Sequence, residues 1–161
     1  MTPAVIPNDL QPVERGYRNS LRVQAAIFWL FPLVGAVVLD RFVLAETWAA
    51  GLVPLAIAFF AFGGVVLGPD RIYRRLGYAL DERLIRIVRG WLFHVDTVVP
   101  FVRVQHIDVT RGPFDKMCGT ASLVVHTAGT HNSVVTLPGL APERAASIRD
   151  LIRAEIRADA E

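Results

Sequence analysis

The chain has 161 residues, a formal net charge of +2 and 53% hydrophobic residues, and its mean hydropathy of +0.40 is high for a soluble protein. From Arg71 onward there are 13 basic and 10 acidic residues, a balance that excludes the strongly basic surface of a typical nucleic-acid-binding domain. The single cysteine, Cys118, excludes an intramolecular disulfide and a cysteine-based metal motif.

Two long apolar stretches lie in the first half of the chain. Residues 23–39, VQAAIFWLFPLVGAVVL, contain Gln24 as their one polar side chain, and residues 48–67, WAAGLVPLAIAFFAFGGVVL, contain no charged residue. An α-helix needs about 20 apolar residues to cross the hydrocarbon core of a bilayer. We therefore predict two transmembrane helices, at about residues 23–43 and 48–67, joined by a short connector.

Two other interpretations of these stretches are open. Buried helices of a soluble core are disfavoured, because a long all-apolar stretch offers no polar face to water. A cleaved signal peptide ending near FVLA would use Arg15, Arg18 and Arg22 as its basic region, but Asp40 and Arg41 fit a cleavage region poorly. The membrane hairpin is the favoured interpretation.

Arginines are distributed unevenly around the two stretches. They are Arg15, Arg18 and Arg22 before the first stretch and Arg71, Arg74 and Arg75 after the second. The connector contains Arg41 alone. Because cytoplasmic flanks carry the excess of basic residues, we predict a multi-pass protein with both termini in the cytoplasm.

Residues 93–111 show the alternation of apolar and polar side chains that is typical of β-strands. Pro100 ends the first strand or marks a sheet edge. In residues 102–111 the apolar phase shifts, so that Val102 and Val104 fit one register and later apolar residues fit the other. A bulge or sharp bend near Gln105 and His106 would reconcile the two registers.

The last third of the chain predicts a hairpin and a closing helix. Residues 120–127 and 133–137 read as strands joined by the turn AGTHN, and residues 111–119 as a compact loop or a single helical turn. Pro142 suits the first position of a helix. Ala145, Ile148, Ile152 and Ile156 form an apolar stripe at helical spacing, which predicts a helix packed against the sheet.

Residues 80–90, LDERLIRIVRG, fit two structures. Arginines at every third position from Arg83, with apolar residues between them, fit a basic amphipathic helix on a membrane surface. The strands and the helix that follow favour instead a turn at residues 81–82 and a strand over residues 84–89. We predict the strand, because tertiary context outranks a short periodic match.

The chain resembles a known family, the bacterial pleckstrin-homology-like (PH-like) membrane proteins of the YdbS type, whose domain was formerly classed as a domain of unknown function. The matching residues are Val99-Pro100, Arg103-Val104-Gln105, Ile107, Gly112, Gly119 and Thr127-Ala128-Gly129. The resemblance implies an α+β membrane protein: a two-helix transmembrane hairpin followed by a PH-like antiparallel β-barrel or sandwich capped by a C-terminal α-helix. It also implies the inner (plasma) membrane of a bacterium.

This resemblance divides the chain into four parts. They are a cytoplasmic N-terminal segment at residues 1–22, the transmembrane helices within 23–69, a cytoplasmic PH-like domain at 70–157 and a tail at 158–161.

The sequence contains no recognisable catalytic motif. There is no G-x-S-x-G elbow and no phosphate-binding glycine loop. Two His-x-Asp pairs, at residues 94–96 and 106–108, would each share a strand face and suggest a metal site, but polar residues at alternate strand positions usually form a solvated face. His126 and His131 flank the predicted turn and are expected to be exposed. We therefore predict a protein that is not an enzyme, with no metal, cofactor or small-molecule substrate.

The favoured function is a protein-interaction or scaffolding module. Arg103, Gln105 and His106 are the candidate partner surface. Self-association is also expected, because Gly35, Gly51, Gly63 and Gly64 permit close contact between helices. Nucleic acid is not an expected partner.

The alternative is an anionic-lipid-binding module. Arg71, Arg74 and Arg75 follow the second apolar stretch and are candidate contacts for lipid headgroups. Phosphoinositide-binding PH domains place basic residues at the first strand turn, whereas residues 81–82 are acidic here, which argues against inositol phosphates.

Overall fold

The computed structural model describes residues 10–90, 93–128 and 134–158. Two long helices precede two small antiparallel sheets and a final helix. The elements are β1 (Gln11–Pro12), α1 (Arg15–Leu39), a π-helical continuation (Asp40–Leu44), α2 (Leu52–Arg74), β2 (Gly77–Leu80), β3 (Leu84–Arg89), β4 (Val95–Pro100), a 3-10 turn (Phe101–Arg103), β5 (Val104–Thr110), α3 (Pro113–Cys118), β6 (Ala121–Thr127), β7 (Val134–Leu140) and α4 (Pro142–Ala158).

Helices α1 and α2 are long and apolar enough to cross a membrane. The first continues through its π-helical end to span 30 residues, and the second spans 23. Only 6% of each apolar window is buried within the protein, and large side chains such as Phe31 and Phe59 are about three-quarters exposed (75% and 74%). A contiguous apolar surface of this kind needs an apolar environment outside the protein, which is incompatible with core helices of a soluble fold.

The helix bounds differ from the predicted spans. Helix α1 begins at Arg15 rather than near residue 23, so its first two turns lie outside the apolar stretch. Helix α2 begins at Leu52 rather than Trp48. The Gly51 backbone N–H donates a 2.7 Å hydrogen bond to Asp40 Oδ1, and Gly51 has a φ of 82°. This left-handed residue turns the chain into α2 and leaves Trp48 in the connector.

The strands form a sandwich of two sheets. One sheet has the order β1-β2-β3-β4, the other the order β5-β6-β7, and all the pairs are antiparallel. Among the described residues the two sheets share no paired strands, so the barrel is not closed. The predicted strand at residues 84–89 is confirmed as β3, and the predicted irregularity is confirmed as a register shift between Val104 and His106.

Helix α4 covers the core as its apolar stripe predicts. Ala145, Ile148 and Ile152 are buried, and Ile156 packs partly buried against the same cluster. They belong to one buried cluster with side chains from both sheets, including Ile85 and Leu123. Since a small sheet cannot bury enough apolar area alone, this contact makes the sandwich a single folded unit.

Residues 11–17, which precede the first apolar stretch, are part of the folded domain, which the division at residue 70 did not anticipate. Gln11 pairs with Tyr78 in the sheet, and Val13 is buried in the core. The Glu14 N–H donates a 2.7 Å hydrogen bond to the Gly139 carbonyl. Tyr17, in the first turn of α1, packs against the core cluster. The first turn of α1 is therefore packed against the folded domain.

Gly16 allows this docking, and a matched pair of substitutions tests it. A Cβ on Gly16 would lie 2.3 Å from the Cys118 carbonyl oxygen, whereas a Cβ on Gly35, in the same helix, would meet nothing within 4 Å. We expect Gly16→Ala to lower the free energy of unfolding by about 1–3 kcal/mol through overpacking. Gly35→Ala should leave it unchanged or raise it, because alanine favours helix. Thermal unfolding in detergent measures both; equal behaviour of the two variants would contradict the docking.

Candidate functional site

The sharp corner between β4 and β5 is held in place from inside the domain. Phe101 is buried, and its N–H donates a 2.9 Å hydrogen bond to the Arg83 carbonyl. The Ala128 N–H donates a 2.9 Å hydrogen bond to the Arg103 carbonyl. Pro100 ends β4 immediately before the turn. These contacts hold the turn while its neighbouring side chains point outward.

We define the corner surface as Val102, Arg103, Gln105 and His106. Val102 is 81% exposed, whereas Val104 is buried, so the predicted placement of both valines on one strand face is wrong. The reason is the 3-10 turn, which rotates Val102 out of the strand register. The bulge after Val104 leaves both Gln105 and His106 exposed. The structure therefore brings the three predicted partner-surface residues to one corner and adds Val102, which the sequence pattern assigned to the same register as Val104.

Two histidines share one carboxylate beside this corner. Nε2 of His106 lies 2.9 Å from Asp108 Oδ1, and Nε2 of His126 lies 3.5 Å from Asp108 Oδ2. The imidazole rings are 5.8 Å apart. Both Nε2 atoms are thus directed at carboxylate oxygens, and the described residues contain no group of three or more His, Cys, Asp or Glu side chains arranged to hold a metal ion. His131 lies outside the described residues.

In the other His-x-Asp pair, at residues 94–96, the carboxylate is held in an ion pair. Asp96 accepts hydrogen bonds from Arg86 Nε at 2.8 and 3.0 Å, and a further one from Nη2 of the same guanidinium. This fork-to-carboxylate contact holds the pKa of Asp96 below its usual range. A carboxylate already paired with a guanidinium is a poor ligand for a metal cation, so the geometry gives Asp96 a structural role across β3 and β4.

A second polar site lies between α1 and α2 at the end nearest the PH-like domain. We define the helix-end cluster as Arg18, Arg22, Asp70 and Arg74. Arg22 Nη2 donates a 3.0 Å hydrogen bond to Asp70 Oδ1, while Arg18 and Arg74 each approach the carboxylate to 3.8 Å. The Arg18 guanidinium also lies over the Tyr73 ring, 5.8 Å from its centroid. One carboxylate thus gathers three arginines from two helices.

The three predicted headgroup contacts do not share one site. Arg74 and Arg75 line a cleft of about 360 Å³ together with His94, and Arg74 also belongs to the helix-end cluster. Arg71 lines a separate, mostly apolar groove of about 490 Å³ on α2.

Sequence reasoning missed the helix-end cluster itself. It used Arg18 and Arg22 as topology signals and as the basic region of the alternative signal peptide, although their spacing of four places both on one helix face. The sequence signal that could have revealed the cluster was Asp70, an acidic residue just before Arg71, Arg74 and Arg75.

The architecture defines the class of protein: two apolar helices packed on a PH-like sandwich that is closed by a terminal helix. A model of the bacterial PH domain family matches residues 25–156, so the chain belongs to that family. It is also 30% identical over 105 residues to the UPF0699 transmembrane protein YdbS of Bacillus subtilis. The match covers 65% of this chain and 64% of that protein, so the chain spans somewhat less than two thirds of its relative. No solved structure matches the chain. The chain is therefore a membrane-associated protein with a bacterial PH domain.

The Arg86–Asp96 contact predicts a pH-dependent contribution to stability. Because the folded-state pKa of Asp96 is lowered by its hydrogen bonds to Arg86, the contribution is fully present above the unfolded pKa of about 3.9 and is lost as pH falls through the folded value. Asp96→Asn should lower the thermal midpoint at pH 7, and the difference from the parent chain should shrink below about pH 4.

The control for this prediction is Asp150→Asn. Asp150 pairs with its neighbour Arg149 on the surface of α4, and its side chain is 62% exposed against 32% for Asp96. We expect a smaller change there, because exposed ion pairs contribute little. A pH-independent difference for Asp96→Asn would refute the assignment.

Proposed function

We propose that the chain is a membrane-anchored, non-catalytic protein-interaction or scaffolding module whose PH-like domain presents the corner surface to a protein partner in the cytoplasm. The carrying observation is the combination, at one fixed corner, of a highly exposed valine with exposed polar side chains. Val102 is 81% exposed beside Arg103, Gln105 and His106. Arginine is enriched at protein interfaces, and an exposed apolar side chain beside it gains free energy when a partner removes it from water.

The position of the corner in the sheets supports the same proposal. Strands β4 and β5 stand at the ends of their sheets, and β4 carries two further exposed valines, Val95 and Val98. An end strand can accept a partner strand through its backbone while apolar side chains supply affinity. Within the described residues, the Arg103 side chain makes no hydrogen bond or ion pair.

A site-specific crosslinking experiment tests the corner surface. A photoreactive amino acid placed at Val102 should yield a discrete crosslinked product in native membranes at high salt, and Arg103→Glu should remove that product. Leu151, exposed on α4, is the control position and should give no such product. If positions 102 and 151 give the same pattern, the corner is not a partner surface. A product containing only this chain would identify the partner as a second copy.

Self-association within the membrane has its own support. Gly64 contacts Trp29 inside the helix pair, whereas Gly63 and Gly68 face open space on a groove of α2. Small residues on a lipid-facing groove allow another helix to approach closely. Of the glycines expected to serve this purpose, Gly64 is used within the chain and Gly51 lies in the connector.

We further propose that both helices cross the membrane and that both termini and the PH-like domain are cytoplasmic. The support is the clustering of arginines at the end of the helix pair next to the domain, opposite the connector. A reporter enzyme that is active only outside the membrane, fused after residue 161, should be inactive. The same reporter inserted in the connector at residue 47 should be active. The reverse pattern would overturn the orientation.

A second candidate function is binding to an anionic membrane surface. Arg71, Arg74 and Arg75 lie on or just after the last turn of α2, where the apolar surface of the helix ends. Each basic residue near such a surface contributes about 1 kcal/mol. The acidic turn at Asp81 and Glu82 separates β2 from β3, so this candidate concerns general anionic headgroups rather than inositol phosphates.

A further inference from the structure

The helix-end cluster carries more positive charge than it neutralises. We propose that Arg18, Arg22 and Arg74, positioned by Asp70, form a binding site for a phosphate group, supplied by the headgroup of an anionic phospholipid. This proposal rests on the second candidate function and names the site and the chemistry that would serve it.

The charge balance is the first argument. Three guanidinium groups surround one carboxylate, which leaves two positive charges uncompensated within the cluster. Only Arg22 makes a true hydrogen bond to Asp70, at 3.0 Å. The Nε atoms of Arg18 and Arg22 are shielded from solvent and have no hydrogen-bond acceptor among the described residues. The cluster therefore carries an excess of positive charge, which attracts an anion.

The second argument is that two of the arginines, Arg18 and Arg22, are already positioned by contacts with Tyr73 and Asp70. Arg18 and Arg22 are four residues apart on α1, and Asp70 and Arg74 four apart on α2. Tyr73 lies beneath the Arg18 guanidinium, and its hydroxyl donates a 3.2 Å hydrogen bond to the Val13 carbonyl. Side chains that are ordered before binding lose less entropy when the ligand arrives.

The third argument is access and geometry. The side chains of Arg18 and Arg22 remain about one-third exposed (34% and 35%), and that of Arg74 is 78% exposed. An arginine fork matches two oxygens of a phosphate, a match that lysine cannot reproduce. The exposed parts of these side chains, of Arg74 above all, are open to a phosphate that approaches from outside the protein.

The position of the helix-end cluster along the two helices indicates which molecule supplies the phosphate. The cluster comes directly before the apolar stretch of α1 and directly after that of α2, so it lies at the boundary between apolar and polar surface on both helices. Phospholipid phosphates occupy that boundary in a bilayer. Free phosphate has the same chemistry, so the experiment separates the two sources.

The test measures lipid retention by the full chain. The protein is purified in detergent with equal amounts of phosphatidylglycerol and phosphatidylcholine, and retained lipid is counted by native mass spectrometry. We expect preferential retention of phosphatidylglycerol and an at least threefold loss in Arg22→Gln and Arg74→Gln. Arg22→Lys should fall between the parent and Arg22→Gln, because it keeps the charge and loses the fork. Arg41→Gln, in the π-helical continuation beyond the opposite end of α1, is the matched control and should retain lipid like the parent chain.

Each outcome of the lipid-retention experiment either supports or overturns the proposed phosphate site. If the parent, Arg22→Gln and Arg74→Gln retain equal amounts of phosphatidylglycerol, the helix-end cluster is not the binding site. This holds even if the protein as a whole still retains phosphatidylglycerol in a salt-sensitive way. Absence of any preference for phosphatidylglycerol in the parent overturns the second candidate function as well. Displacement of the lipid by millimolar inorganic phosphate would support the phosphate site but assign it to a soluble ligand. Arg74 is the most exposed member, so Arg74→Gln serves as the test if Arg22→Gln fails to fold.

Discussion

The packing of the first turn of α1 against the PH-like domain is the contact on which the rest of the structure depends. Gly16 approaches the Cys118 carbonyl so closely that a Cβ has no room there, and Tyr17 lies against Gly139, whose φ of 79° favours glycine. At the other helix, only two residues separate the end of α2 from β2. The domain is therefore joined to both helices directly, without a linker that would let it move away from them.

This junction relates the two candidate sites to each other. The helix-end cluster sits between α1 and α2 just above the docked turn, and Tyr73 links it to Val13 in the domain core. The corner surface lies on strands β4 and β5 of the same sandwich. A ligand that changes the positions of the arginines in the helix-end cluster would contact helices that are packed against the domain core. A headgroup at the cluster and a partner at the corner would thus bind one continuous folded unit.

Much of the fold was predictable because it is local in sequence. The apolar stretches, the strand alternation, the bulge near Gln105 and the stripe of α4 are periodic signals that need no partner to be recognised. Strands β1 and β2 were missed because they have two and four residues, too few to show a period. Val102 was misplaced because the 3-10 turn breaks the alternation that the prediction assumed. For the candidate site, the corner residues were predicted individually, whereas the cluster around Asp70 joins residues 48 positions apart, which periodicity does not reveal.

The sequence by itself determined that two apolar helices precede a small β-rich domain closed by a helix, since hydropathy and periodicity encode those elements directly. It also determined the excess of arginines at the ends of the helices that face away from the connector. Only the tertiary structure decided that residues 11–17 belong to the domain and that Asp70 gathers three of those arginines. The physical reason is that both features depend on close contact between distant segments, through a glycine that admits a carbonyl and a carboxylate that reaches across two helices.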